Sequence, residues 1–226
     1  MENIFKKSLL LLALVLCLTG CGSSEEANEN NGSNNENNKK QEKKVEYSES
    51  QKMIMKISDL ISEGLAYDTG DYIMGDVKPG DYAFIKFDGS GSYYSEEDAS
   101  GDIIDNENFS SFGYVKVHGT GNLETRGVLV NVAAFEKLGV TSAKEIYEIL
   151  NEKENYNQAG YYKVGTDIEA GSYVVESIGG SGYFAVMSGP VGDSDIVDND
   201  NFNGRKAVTV YDGQYLEVSR STLTKQ

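Results

Sequence analysis

The chain has 226 residues, 36 of them acidic against 20 basic, for a formal net charge of −16, and it contains no tryptophan. That balance excludes nucleic acid as a partner, since phosphate binding needs clusters of Lys and Arg, and it suits solubility outside a cell. Of the two cysteines, Cys17 lies in the leading apolar stretch, so the folded part has no disulfide to staple it and must hold through its core alone.

Lys6 and Lys7 precede a run from Leu9 to Leu18 that is nearly all Leu, Ala and Val. A charged start and an apolar segment too short to span a bilayer comfortably describe a signal sequence. The run closes on Leu18-Thr19-Gly20-Cys21, which resembles the lipobox of bacterial lipoproteins. The resemblance implies that residues 1–20 are removed and that Cys21 becomes a lipidated N-terminus on the outer face of the cytoplasmic membrane. From Gly22 to Lys44 no large apolar residue occurs. Residues 21–46 are therefore expected to be a disordered tether with a reach on the order of 25–30 Å. Lys39, Lys40, Lys43 and Lys44 within it read as a solvated linker face or as a contact for anionic headgroups.

An amphipathic helix is expected over 47–66. Ser48 and Gln51 have capping-box spacing, and Met53, Ile54, Ile57, Leu60, Ile61 and Leu65 recur at helical steps up to a stop at Gly64.

The remainder is an internal repeat. Gly70-Asp71-Tyr72 is answered by Gly160-Tyr161-Tyr162, Gly75 by Gly165, and Gly80-Asp81-Tyr82 by Gly171-Ser172-Tyr173 with one residue inserted. Gly89-Ser90-Gly91 matches Gly180-Ser181-Gly182, and the acidic run from Asp102 to Phe109 matches that from Asp195 to Phe202. Tyr82 to Phe87, Tyr173 to Ile178 and Tyr183 to Met187 read as strands, as do the alternating runs around Val115 and Val208. Asp212-Gly213 reads as a hairpin turn between Val210 and Tyr215. The expected fold is mainly β: two duplicated small antiparallel β-sandwich or barrel modules, over 67–130 and 158–226. Short helices over 131–157 connect them, broken at Gly139 and restarted by a capping box at Ser142 and Glu145.

The second copy fits the pattern Gly-x-Tyr-x-Val-Gly-x-Asp-Ile-x-Ala-Gly-x-Tyr, and the first departs from it at Met74 and Pro79. This pattern is similar to one found in secreted proteins and lipoproteins of Gram-positive bacteria whose function is unassigned. The resemblance implies an exported β-rich module and no activity.

Catalytic chemistry is sparse. His118 is the sole histidine and falls on an alternating strand where the second copy has Tyr211. There is no nucleophile elbow, zinc-binding His pair or phosphate loop, so a non-enzyme is expected, although carboxylates abundant enough for a glycosidase are present. Two other sets stand out. Tyr93, Tyr94, Tyr183 and Phe184 follow the Gly-Ser-Gly turns and are candidates for a ligand platform, against the simpler reading of sheet packing. Asp102, Asp105 and Glu107, with Asp195, Asp198 and Asp200, offer hard oxygen ligands for Ca²⁺, against a reading as loop and turn residues that cap their own backbone. No other cofactor is implied. The expected function is a non-catalytic envelope binding module for cell-wall polysaccharide or protein. The alternatives are an accessory subunit docked on another envelope protein, a Ca²⁺-binding module or a glycan-acting enzyme. If the acidic runs bind Ca²⁺, replacing Asp198 and Asp200 by Ala removes a Ca²⁺-dependent rise in melting temperature. Melting that is identical with Ca²⁺ and with chelator ends that reading.

Overall fold

The computed structural model describes residues 46–226, so the signal, Cys21 and almost all of the expected tether lie outside the described residues. Helix α1 (Glu49–Glu63) buries Met53, Ile57 and Leu60, each worth roughly 1.5–3 kcal/mol relative to exposure. It ends at Gly64, where φ is +67° and Leu65 N–H reaches back to Leu60 O, a glycine-terminated cap.

The first module comprises β1 (Ala66–Tyr67), β2 (Gly70–Tyr72), β3 (Gly80–Ile85), β4 (Tyr93–Glu97), β5 (Ile103–Asn108), β6 (Phe112–Val117), β7 (Leu123–Thr125) and β8 (Val128–Asn131). After a 3₁₀ turn at Val132–Ala134, the connector consists of α2 (Phe135–Leu138) and α3 (Ala143–Leu150). The second module comprises β9 (Gly160–Lys163), β10 (Gly171–Ser177), β11 (Gly182–Met187), β12 (Ile196–Phe202), β13 (Arg205–Val210), β14 (Tyr215–Ser219) and β15 (Ser221–Lys225).

The duplication holds strand for strand. In the first module the sheets run β1-β8-β3-β6 and β2-β7-β4-β5, and in the second β13-β10-β15 and β12-β11-β14-β9. Each module is an open antiparallel sandwich rather than a closed barrel. The place of β1 is filled in the second module by Asn157 alone, whose O accepts Leu223 N–H while its amide donates to Leu223 O. Asp212-Gly213 is not a hairpin turn. Val210 and Tyr215 belong to different sheets, and Gly213 N–H bonds Val164 O, so the turn carries the chain across the sandwich.

The repeat motif has a common hydrogen-bonding logic. Tyr82 Oη donates to Lys78 O (2.9 Å) and Tyr173 Oη to Glu169 O (2.7 Å); Tyr72 Oη donates to Asp68 O (2.7 Å) and Tyr162 Oη to Gln158 O. All four are tyrosine corners: a ring packed on the core, buried in three and half-buried at Tyr72, whose hydroxyl satisfies a carbonyl four residues upstream. Burial pushes the Tyr82 hydroxyl up to about 12, which keeps it a donor at any ordinary pH. Gly80 and Gly171 open their strands at φ +154° and +143°, a region that side chains rarely adopt.

The motif aspartate behaves differently in the two copies. Asp167 accepts N–H bonds from Lys144 (2.9 Å) and Lys163 (2.8 Å), and the nearby Tyr114 and Ser142 hydroxyls favour its charged form. It thereby caps α3 and pins that helix to β9. Burial raises its pKa although these bonds oppose the rise. Asp76, its counterpart, is exposed.

Residues 49–226 form one compact unit with a continuous core. At the seam between modules, Phe112 packs edge-on to Tyr162 (5.0 Å), Tyr114 to Tyr215 (5.6 Å) and Phe109 to Tyr161 (6.1 Å). A Cβ on Gly113 would stand 2.0 Å from the Phe109 ring and 3.0 Å from the Tyr161 Cβ, so only glycine fits there. Asp167→Ala leaves two buried N–H groups unpaired and should cost about 2–4 kcal/mol, whereas Asp76→Ala should change stability by less than about 0.5 kcal/mol. Urea denaturation of both variants checks this, and equal losses would contradict it.

Candidate functional site

The four aromatic residues of the candidate platform do not share a face. Tyr94 and Phe184 are 0% and 1% exposed, while Tyr93 and Tyr183 are half-buried. Successive residues of a strand point to opposite faces, so adjacent rings on β4 and on β11 cannot both reach a ligand. Tyr94 and Phe184 are core residues, which leaves only Tyr93 and Tyr183 with partly accessible rings.

The acidic runs are not loops. Asp105 and Glu107 lie on β5, and Asp198 and Asp200 lie on β12, the outermost strands of equivalent sheets. Asp102 and Asp195 precede those strands. Asp and Asn have poor strand propensity, yet an outer strand needs a partner on one side only, and charge there blocks edge-to-edge aggregation. Both strands carry a bulge at the same place: Ile104 and Val197 are skipped where Glu96/Glu97 and Val186/Met187 shift register. The carboxylates have separate occupations. Asp105 Oδ2 accepts Gly192 N–H of the second module (2.7 Å), Glu107 Oε1 accepts Asn108 N–H (2.6 Å), and Asp200 pairs with Lys206 (2.6 Å). Among the described residues no three His, Cys, Asp or Glu side chains converge as a metal-binding group.

Sequence reasoning missed Glu96. This side chain is almost wholly buried, with Oε1 accepting N–H bonds from His118 and Gly119 (both 2.8 Å) and Oε2 facing His118 Nδ1 (3.1 Å) and Tyr94 Oη (3.4 Å). Val186 occupies the matching position in the second module, so the one signal available was a glutamate where the other copy places an aliphatic residue. The lone histidine is thus tied to a carboxylate that is itself tied to backbone.

Sequence reasoning also missed Glu217 on β14. Burial and the nearby Glu107 raise its pKa to about 7, and Arg220 offsets this in part. Glu107 is itself raised by burial and by Asp105. Two carboxyl groups, one from each module, therefore compete for charge near the Tyr161 ring of the seam, and Tyr161 feels both. Glu124, the first-module counterpart of Glu217, instead pairs with Arg126. What the arrangement can do is let Glu217 take up a proton near neutral pH.

Two open depressions lie on the surface. A groove of about 590 Å³ lies along the starts of α1 and the flank of α3, with Glu49, Glu152 and Glu154 on its rim and Val140 and Ile149 on its wall. A cleft of about 330 Å³ on the first module is lined by Tyr72, Ile73, Ser95, Glu97, Asn122 and Glu124.

Compared with known proteins, the chain matches no family model, no curated protein and no solved structure.

A carboxyl whose pKa in the folded state exceeds its ordinary 4.5 binds protons on folding, so its contribution is greatest at low pH and is lost as pH rises through about 7. Stability should therefore fall between about pH 5 and pH 8, by on the order of 2 kcal/mol after solvent screening. Glu217→Gln should flatten that slope and stabilise the protein at the alkaline end. Glu107→Gln should shift the slope to lower pH. Denaturation across the pH range measures all three, and an unchanged slope in Glu217→Gln would refute the assignment.

Proposed function

We propose that this protein is a non-catalytic binding module, held on the outer face of the bacterial cytoplasmic membrane by a lipidated Cys21, and that its ligand is a protein of the cell envelope. The observation that supports this most directly is the pair of equivalent acidic outer strands. β5 exposes Ile103 (57%) and β12 exposes Ile196 (58%) and Val197 (56%), each beside carboxylates. Exposed aliphatic residues on an outer strand favour contact with another chain, and the surrounding charge gives that contact selectivity. The buried carboxylates support the same reading from inside, because Glu96 and Asp167 spend their oxygens on backbone N–H groups.

Cell-wall polysaccharide is the second reading, favoured by the first-module cleft. There Tyr72 offers a half-buried ring beside Ser95, Asn122 and Glu97, and Asn122 donates to Glu97 Oε2 (3.1 Å). An apolar surface with fixed amide and carboxylate groups suits sugar hydroxyls.

Two measurements test these readings. Labelled palmitate should enter the full chain in a Gram-positive host, and Cys21→Ser should abolish the label and release the protein to the medium. Cross-linking in intact cells should capture an envelope protein, while purified sacculi should not sediment the chain. Saturable sedimentation with sacculi would instead favour the polysaccharide reading, with Asn122→Ala expected to weaken it about tenfold.

A further inference from the structure

Backbone pairing at a sheet edge already occurs within the molecule, at one residue. β6 is the last strand of its sheet, and Val191 of the second module lies beside it as a parallel bridge. Lys116 N–H donates to Val191 O (2.8 Å), and Val191 N–H donates to Tyr114 O (3.0 Å). A single residue of the second module thus satisfies part of the β6 edge.

β12 presents an edge of the same kind on the second module. Six of its seven residues pair with β11 on one side, Val197 being skipped at the bulge, and it is the terminal strand of β12-β11-β14-β9. Alternate backbone N–H and C=O groups of an outermost strand point away from its partner. Ile196, Val197, Asp198, Asn199 and Asn201 are all exposed, with Asp193 and Asp195 just ahead of them. Of the nearby cations, Lys206 pairs with Asp200 and Arg205 with Glu176.

This combination selects its occupant. A second copy of the same strand would set carboxylate against carboxylate, which disfavours self-association through this edge. An extended segment bearing Lys or Arg gains both the ladder hydrogen bonds and the opposite charge. Ile196 and Val197 then supply the apolar contact that a purely protective edge would not expose. The counterpart β5 is less available, because Asp105 is bonded to Gly192 and Glu107 lies half-buried near the module seam.

We propose that β12 is a docking edge for an extended, cationic peptide segment of a protein partner, which joins the sheet as an additional strand beside Ile196–Phe202. This rests on the reading of the protein as a protein-binding module and names the surface it would use.

The test uses the full chain and three labelled octapeptides: alternating Lys-Val, alternating Glu-Val, and alternating Lys-Pro, which has the charge but cannot form a ladder. Lys-Val should bind saturably, at least about tenfold more tightly than Lys-Pro, and Glu-Val should not bind. Hydrogen exchange should slow across Ile196–Phe202 when Lys-Val is present. Asp198→Lys, on an exposed side chain, should weaken Lys-Val binding about tenfold with melting unchanged. Equal binding of Lys-Pro and Lys-Val would overturn the proposal, as would protection placed elsewhere than β12 or indifference to Asp198→Lys. If no cationic peptide binds while cross-linking still captures an envelope protein, the edge is wrong and the binding-module reading stands. If cross-linking and sedimentation both fail as well, that reading falls too.

Discussion

The carboxylate of Asp167 accepts N–H bonds from the first turn of α3 and from the end of β9, and the nearby Tyr114 hydroxyl of the first module favours its charge. One side chain therefore ties the connector to the start of the second module. A buried carboxylate is costly unless its oxygens are satisfied, and this one is satisfied only when α3 and β9 are both in place. The Tyr114 hydroxyl extends the constraint, because it also accepts Ala143 N–H (3.0 Å) while its ring meets Tyr215. The aromatic seam of Phe109, Phe112, Tyr161 and Tyr162 closes around that point.

The two modules share one topology yet differ where they face their surroundings. On β6, Phe112 and Tyr114 are buried against the second module. At the matching positions of β13 stand Arg205 and Ala207, both exposed. The loop that delivers Val191 to β6 corresponds to the exposed Ala99-Ser100-Gly101 stretch of the first module. Each module thus has one face shaped for the seam and one polar face, as terminal units of a repeat array do. The carboxylates follow the same division. Glu124 sits on an open face and finds Arg126, while Glu217 sits near Glu107 and has its charge disfavoured.

Much of the fold was legible. The tyrosine spacing, the glycines and the valine alternation identified both copies, because a core tyrosine that reaches back four residues and a strand that opens at positive φ demand particular residues. The helical stripe of α1 and the caps at Gly64 and Ser142 were equally plain, since they depend on neighbours within one turn. The site was far less legible. Tyr93 and Tyr94 look alike in a string of letters, and strand alternation separates them only once the direction of the core is known. Asp-rich runs resembled loops because their composition opposes strand formation, and their place at an outer edge is what tolerates it.

The sequence by itself determined the duplication, the β-rich class, the presence of the helices and the acidic character of the chain, all of which arise from local spacing and composition. Tertiary structure alone decided that Asp167 is a buried tie while Asp76 is exposed, that Glu96 holds His118, and that burial and Glu107 disfavour the charge of Glu217. These outcomes depend on which groups from distant parts of the chain share a small volume from which water is largely removed. Burial and proximity set the energy of a charge there, and neither is written in its neighbours along the chain.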